Sequence, residues 1–210
     1  YQHARTVATT LDRLLDACRV RSTGGTRPPK FARAASAGDE LERFDGTLTF
    51  TDAEAPRRTP SLTLRACEAA LRLRIPLAPR ARDVIAACAR EPAWAERLRE
   101  DPASGPAFMR LLTHSGVPTL RARGAPVSAS ERSPSVLAEL HDLGLLLALV
   151  PEFGPVTGRV HHDVYHTYTV DVHSVAAVDR LHRVARGEMG EPFALAARVV
   201  AEIERRELLC

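Results

Sequence analysis

The chain has 210 residues, a formal net charge of +3 and an apolar fraction of 45%. That length suits one large or two small domains, and the apolar content is enough for a core. No apolar run approaches a membrane span, and no basic–apolar–small leader pattern opens the chain.

Aromatic residues make up only 5%, so the core is expected to be Leu, Val and Ala, a composition that favours helices. Residues 1–130 carry 21 basic and 14 acidic groups, whereas residues 131–210 carry 8 and 12. This change of sign hints at two units, 1–130 and 131–210. The net charge is too small to point to nucleic acid. "PRAR" and "LRAR" are short and lack aromatic neighbours, so they read as solvated helix faces. Cys18, Cys67, Cys88 and Cys210 form no C-x-x-C pair and read as free thiols of a reducing cytoplasm. The chain opens on Tyr1 and closes within "ELLC", which reads as a segment of a longer protein.

In chain order, Ala4–Val20 places Val7, Leu11, Leu14, Leu15 and Cys18 at helical spacing. Arg21–Lys30 reads as a surface loop. Glu40–Phe50 alternates Thr with Leu48 and Phe50 around Asp45-Gly46, which predicts a small hairpin near 41–50. Thr59-Pro60 suits the cap and first residue of a helix running to Arg74, with Leu62, Ala66, Ala69, Ala70 and Leu73 inward. Further helices are expected over 78–90, ended by Pro92, and over 101–115, with Phe108, Leu111 and Leu112 inward. Trp94 reads as a packing anchor. Gly116–Ser133 reads as a linker, Ser133–Phe153 as a short amphipathic helix and an apolar stretch closed by Pro151. The last helices are expected from Thr169 to Arg186 and from Pro192 to Leu209. The fold expected is mainly α, a helical bundle with one hairpin.

Chemistry concentrates in "VHHDVYHTYTVDVHS", Val160–Ser174. His162, Asp163, His166 and His173 are the residue types that bind transition metals, yet no spacing among them is diagnostic. A metal site, a polar hydrogen-bonded helix start and an exposed pH-sensitive patch all fit the spacing. Thr169 suits the N-cap of the following helix, with Asp171 in its first turn and Val175, Val178, Leu181 and Val184 on its buried side. His114, His141 and His182 stand alone on helical segments and read as structural or surface residues. Phosphate-loop and nucleophile-elbow motifs are absent.

"LGLLLALVPEFGPVTGRVHHDVYHTYTVDVHSVAAVDRL" (Leu143–Leu181) resembles a segment of the bacterial protein-PII uridylyltransferase/uridylyl-removing enzymes. The resemblance rests on Pro151, Glu152, Phe153, Gly158, His162, Asp163, Tyr165, His166, Tyr168, Thr169, Val170, Asp171, His173 and Ser174. Parts of residues 1–85 resemble the helical region of the same family. The resemblance implies that residues 1–130 belong to the helical region following a nucleotidyltransferase core. Residues 131–210 would be the amino-terminal part of an HD-type phosphohydrolase domain, truncated before its paired His-Asp. It implies a parent enzyme that attaches uridylyl groups from UTP to the PII signalling protein and removes them by hydrolysis, using a divalent metal, Mg or Mn.

His173 matches one metal ligand of the HD set. His162, Asp163, Tyr165, His166 and Asp171 become candidates for supporting that ligand or meeting substrate. Val172 stands where the family often has a Glu, which removes a capping-box partner for Thr169. The segment alone is expected to bind no metal tightly and to lack both activities, because tight binding needs several preorganised ligands. The rival expectation is a non-catalytic helical adaptor that retained the family's scaffold. No nucleic-acid or membrane partner is expected under either.

Overall fold

In the computed structural model, residues 35–38, 40–44, 46–114, 135–159 and 169–203 are described. The helix expected over 4–20, the loop over 21–30 and the linker over 116–133 lie outside the described residues, and the last helix, expected over Pro192–Leu209, is shorter than that, running over Ala194–Ala201 after a 3-10 turn.

The hairpin forms where alternation predicts it. Strands β1 (Ala35–Gly38), β2 (Leu41–Phe44) and β3 (Thr47–Phe50) make an antiparallel sheet in the order β1-β2-β3. Phe44 pairs with Thr47, leaving a two-residue turn in which Gly46 has φ +72°. That conformation is open to glycine and costly for a β-carbon. Leu48 and Phe50 are buried and Thr47 and Thr49 half-buried, as a strand with one covered face requires. Strand β1 is an addition to the expected hairpin. Its "ASAG" has no apolar alternation to announce it, and it joins through backbone pairing of Ala35 with Arg43 and Ser36 with Glu42. Leu48 fastens the sheet to the helices: its N–H donates to the Pro76 carbonyl, and its carbonyl accepts from the Ala78 N–H, each at 2.8 Å.

The rest is helical: α1 (Ala55–Arg58), α2 (Leu62–Leu73), α3 (Pro79–Ala89), α4 (Pro92–Glu100), α5 (Ser104–Thr113), α6 (Val136–Asp142), α7 (Leu145–Leu149), α8 (Val170–Ala185) and α9 (Ala194–Ala201). Short 3-10 turns span Pro151–Val156 and Glu191–Phe193. The mainly α reading therefore holds.

Two local expectations need correction. Thr59 and Pro60 do not open α2. Thr59 closes α1, donating its N–H to the Ala55 carbonyl at 2.8 Å, and Pro60 has no N–H with which to continue it. Helix α2 starts after Ser61, with the Thr63 hydroxyl donating to the Pro60 carbonyl at 2.7 Å. Pro92 not only stops α3 but stands in the first turn of α4, where its missing N–H costs nothing.

The main core joins Leu48 and Phe50 of the sheet to Leu62, Leu64, Ile85, Leu98, Leu111, Leu140 and Leu145. Trp94 is the largest fully buried side chain, and its Nε1–H donates to the Pro56 carbonyl at 2.8 Å. It is the packing anchor expected. A second, smaller cluster gathers Leu137, Leu146 and Val175, with Phe108, Phe153 and Val178 packed against it. Helix α6 thus faces two ways. Val136 and Leu140 enter the main core and Leu137 the second cluster, which places α6 between the helical body and α8. The turn from α6 to α7 passes through Gly144 at φ +78°.

Candidate functional site

Helix α8 begins where Thr169 leaves the extended region at φ −68°, ψ 157°. Thr169 occupies the cap position, but its side chain does not cap the helix amides. Its Oγ1 is buried beside Asp171, whose Oδ1 is also buried, and neither atom meets a partner at full hydrogen-bond geometry. Two residues on, Asp171 points inward and is almost wholly enclosed. Its Oδ2 accepts from Nε2 of His141 at 3.0 Å, with the two side chains only 8% and 4% exposed. Phe153 sets its ring edge-on to His141, the centroids 5.9 Å apart. Burial opposes ionisation of Asp171. The nearby Thr169 hydroxyl, the Val172 and Gly158 amides and His141 outweigh it and hold the carboxyl below the ordinary aspartate range.

A second polar contact joins the same two helices. The Ser135 hydroxyl donates to Oδ2 of Asp179, and its oxygen caps α6 by accepting the Ala138 N–H at 3.0 Å. The start of α6 therefore meets the middle of α8, and the end of α6 meets the start of α8. On its other flank α6 holds Glu139, buried and paired with Arg82 of α3.

His173 lies one turn into α8 on the exposed side, its backbone N–H donating to the Thr169 carbonyl at 2.9 Å. Val175 and Val184 are buried as predicted, and Val178 and Leu181 are half-buried. His162, Asp163, Tyr165 and His166 lie outside the described residues. Among the described residues no three His, Cys, Asp or Glu side chains come together as a metal set. An exposed imidazole in a first helical turn suits one place in such a set, so His173 fits a metal as a single ligand and no more. Cys67 and Cys88 are buried free thiols whose enclosure pushes their ionisation up, which makes them inert packing groups.

The structure also brings in a residue that the sequence reading set aside. His141 is structural, one of the two roles the sequence leaves open for it, and its partner is Asp171. One signal was present: His141 follows Leu137 by four residues and so shares its helix face, and that face packs against α8.

Comparison with known proteins gives no matching family model and no matching solved structure. Curated relatives do match. A bifunctional uridylyltransferase/uridylyl-removing enzyme of Caulobacter vibrioides is 35% identical over 118 residues, 56% of this chain and 11% of the relative. Enzymes of the same name from Rhodospirillum rubrum and Azospirillum brasilense are 31% and 28% identical over 112 and 114 residues, 53% and 54% of this chain and 10% of each relative. Over rather more than half its length, the chain is similar to a segment of bifunctional uridylyltransferase/uridylyl-removing enzymes, and the match spans about a tenth of those relatives.

Proposed function

We propose that this chain is part of an enzyme that uridylylates the PII signalling protein from UTP and removes the uridylyl group by hydrolysis. In this reading, residues 1–130 form the helical region after the nucleotidyltransferase core. Residues 131–210 open an HD-type phosphohydrolase domain, and the whole segment links the two catalytic units. The observation that carries the reading is the likeness to relatives bearing both activities in their name. The placement of His173, exposed on a helix whose first turn is held from inside by Asp171, supports it.

His173 would serve as one ligand of a divalent ion, Mg or Mn, completed by residues beyond those described. When bound, such an ion supplies a Lewis acid that makes water a nucleophile at neutral pH. The work of the described residues is to present the imidazole: Asp171 and Val175 face inward and turn His173 toward solvent. His162, Asp163, Tyr165 and His166 belong, in this reading, to the approach along which the uridylyl group reaches α8.

The test uses the native gene product that carries these residues. His173→Ala should lower uridylyl removal by at least about 100-fold, the top of the range for changing only a ligand's supporting partner, and leave transfer from UTP intact. Unchanged removal would overturn the reading.

A further inference from the structure

We infer that His141 and Ser135 are positioning residues that set the register of α8 and so aim His173. The catalytic consequence rests on the function proposed above, whereas the clamp itself does not.

Helix α8 packs on α6 through Leu137, Val175 and Val178. Apolar burial is non-directional, and a face of small valines tolerates sliding or rotation. The polar contacts supply what it lacks. His141 holds Asp171, and Ser135 holds Asp179. The two carboxylates stand eight residues apart, about 12 Å along a helix rising 1.5 Å per residue. Contacts at two such points fix both translation and rotation. Both are hydrogen bonds to carboxylates, the stronger and shorter kind. Asp171 is 3% exposed, so any register that parts it from His141 takes a donor away from a buried carboxylate.

Helix α6 is itself immobilised. Val136 and Leu140 sit in the main core, and Glu139 pairs with Arg82 on the opposite flank. The chain of support runs from α3 through α6 to α8. His173 follows Asp171 by two residues, about 200° around the helix. Pulling Asp171 inward therefore turns His173 outward, and a one-residue slip would carry its imidazole to another side.

The experiment compares His141→Leu, His141→Gln, Ser135→Ala and His173→Ala in the native gene product. His141→Leu should lower kcat for uridylyl removal by about 10-fold, in the range for residues that orient a ligand, with KM and uridylyl transfer little changed. His141→Gln, whose amide can still donate to Asp171, should restore most of that loss. Hydrogen exchange of the amides over 170–175 should quicken in His141→Leu and Ser135→Ala relative to α2 and α5, and return in His141→Gln. If His173→Ala abolishes removal while His141→Leu matches wild type in kcat and exchange, the inference is wrong and the proposed function stands. If His173→Ala leaves removal intact, the proposed function fails, and exchange alone decides the clamp. Should His141→Leu not fold, Asp171→Ala, which removes the acceptor, takes its place: faster exchange over 170–175 supports the clamp, and wild-type exchange overturns it.

Discussion

The bridge between α3 and α6 offers a direct test of how the site is held. Glu139 is buried, its side chain 11% exposed, and Arg82, whose side chain is 35% exposed, pairs with it through its guanidinium. Burial opposes the charge on Arg82, but Glu139, with smaller help from Cys67 and Asp83, holds the guanidinium more firmly protonated than usual. Arg82→Met keeps much of the side-chain length and strands the Glu139 carboxylate. Breaking a fully buried pair costs about 3–5 kcal/mol. Water reaches Arg82, so the expected cost here is about 2–3 kcal/mol. Replacing both residues, Arg82→Met with Glu139→Leu, removes the stranded charge and should return stability to within about 1 kcal/mol of the parent. The double variant should therefore be more stable than the single one, an order that simple loss of attraction does not produce. Urea unfolding at neutral pH, followed by far-ultraviolet circular dichroism, measures both. Arg110→Met, which breaks the exposed pair with Glu68, is the control and should be close to neutral. An Arg82→Met variant within about 0.5 kcal/mol of wild type, the range of an ordinary surface substitution, would refute the reasoning. So would a double variant no more stable than the single.

Three further outcomes follow from the fold. Trp94→Phe removes the donor to the Pro56 carbonyl and leaves a buried acceptor, so thermal unfolding should show a loss of about 1–3 kcal/mol. Gly144→Ala places a β-carbon at φ +78° and 3.3 Å from that of Ala89, and should cost about 1–3 kcal/mol by the same measurement. The Ser61 hydroxyl, helped by the Ala103 and Ser61 amides, holds the Asp101 carboxyl below its usual range against the opposing effect of burial. A carboxyl depressed on folding adds stability above its unfolded value, and that stability is lost as pH falls through the folded value. Ser61→Ala should therefore raise the Asp101 titration midpoint seen by NMR, shrink the acid-side loss of stability and complete it at a higher pH.

Sequence periodicity was a sound guide wherever one element has one buried face. Leu48 and Phe50 announce β3, and Leu62, Ala66 and Ala69 announce α2, because alternation or a helical stripe is imposed by the same burial that holds them. It failed where backbone bonds or boundary chemistry decide. Strand β1 is a row of small residues with no face to declare. Helix α4 does not declare its start, because Pro92 reads as a stop, although proline in a first helical turn is as ordinary as proline after a helix end. Thr169 was correctly placed at the start of α8, but its hydroxyl lies toward Asp171 rather than the helix amides.

The residue-rich stretch before and within α8 shows why composition alone left its chemistry open. Asp171 and His173 are near neighbours in sequence and look like members of one cluster, yet a helix turns about 100° per residue and separates them. Asp171 lies one turn before Val175, so it shares the buried face, and burial in turn demands a donor. That donor, His141, comes from 30 residues away in the chain. It could be found only once α6 and α8 were known to pack together. His173 lies off that face, on the exposed side of the helix. Proximity in the chain thus grouped two residues that the fold assigns to different tasks, and distance hid a pair that the fold makes. The same geometry gives the proposed site its logic: an exposed imidazole is aimed by a carboxylate that must stay buried.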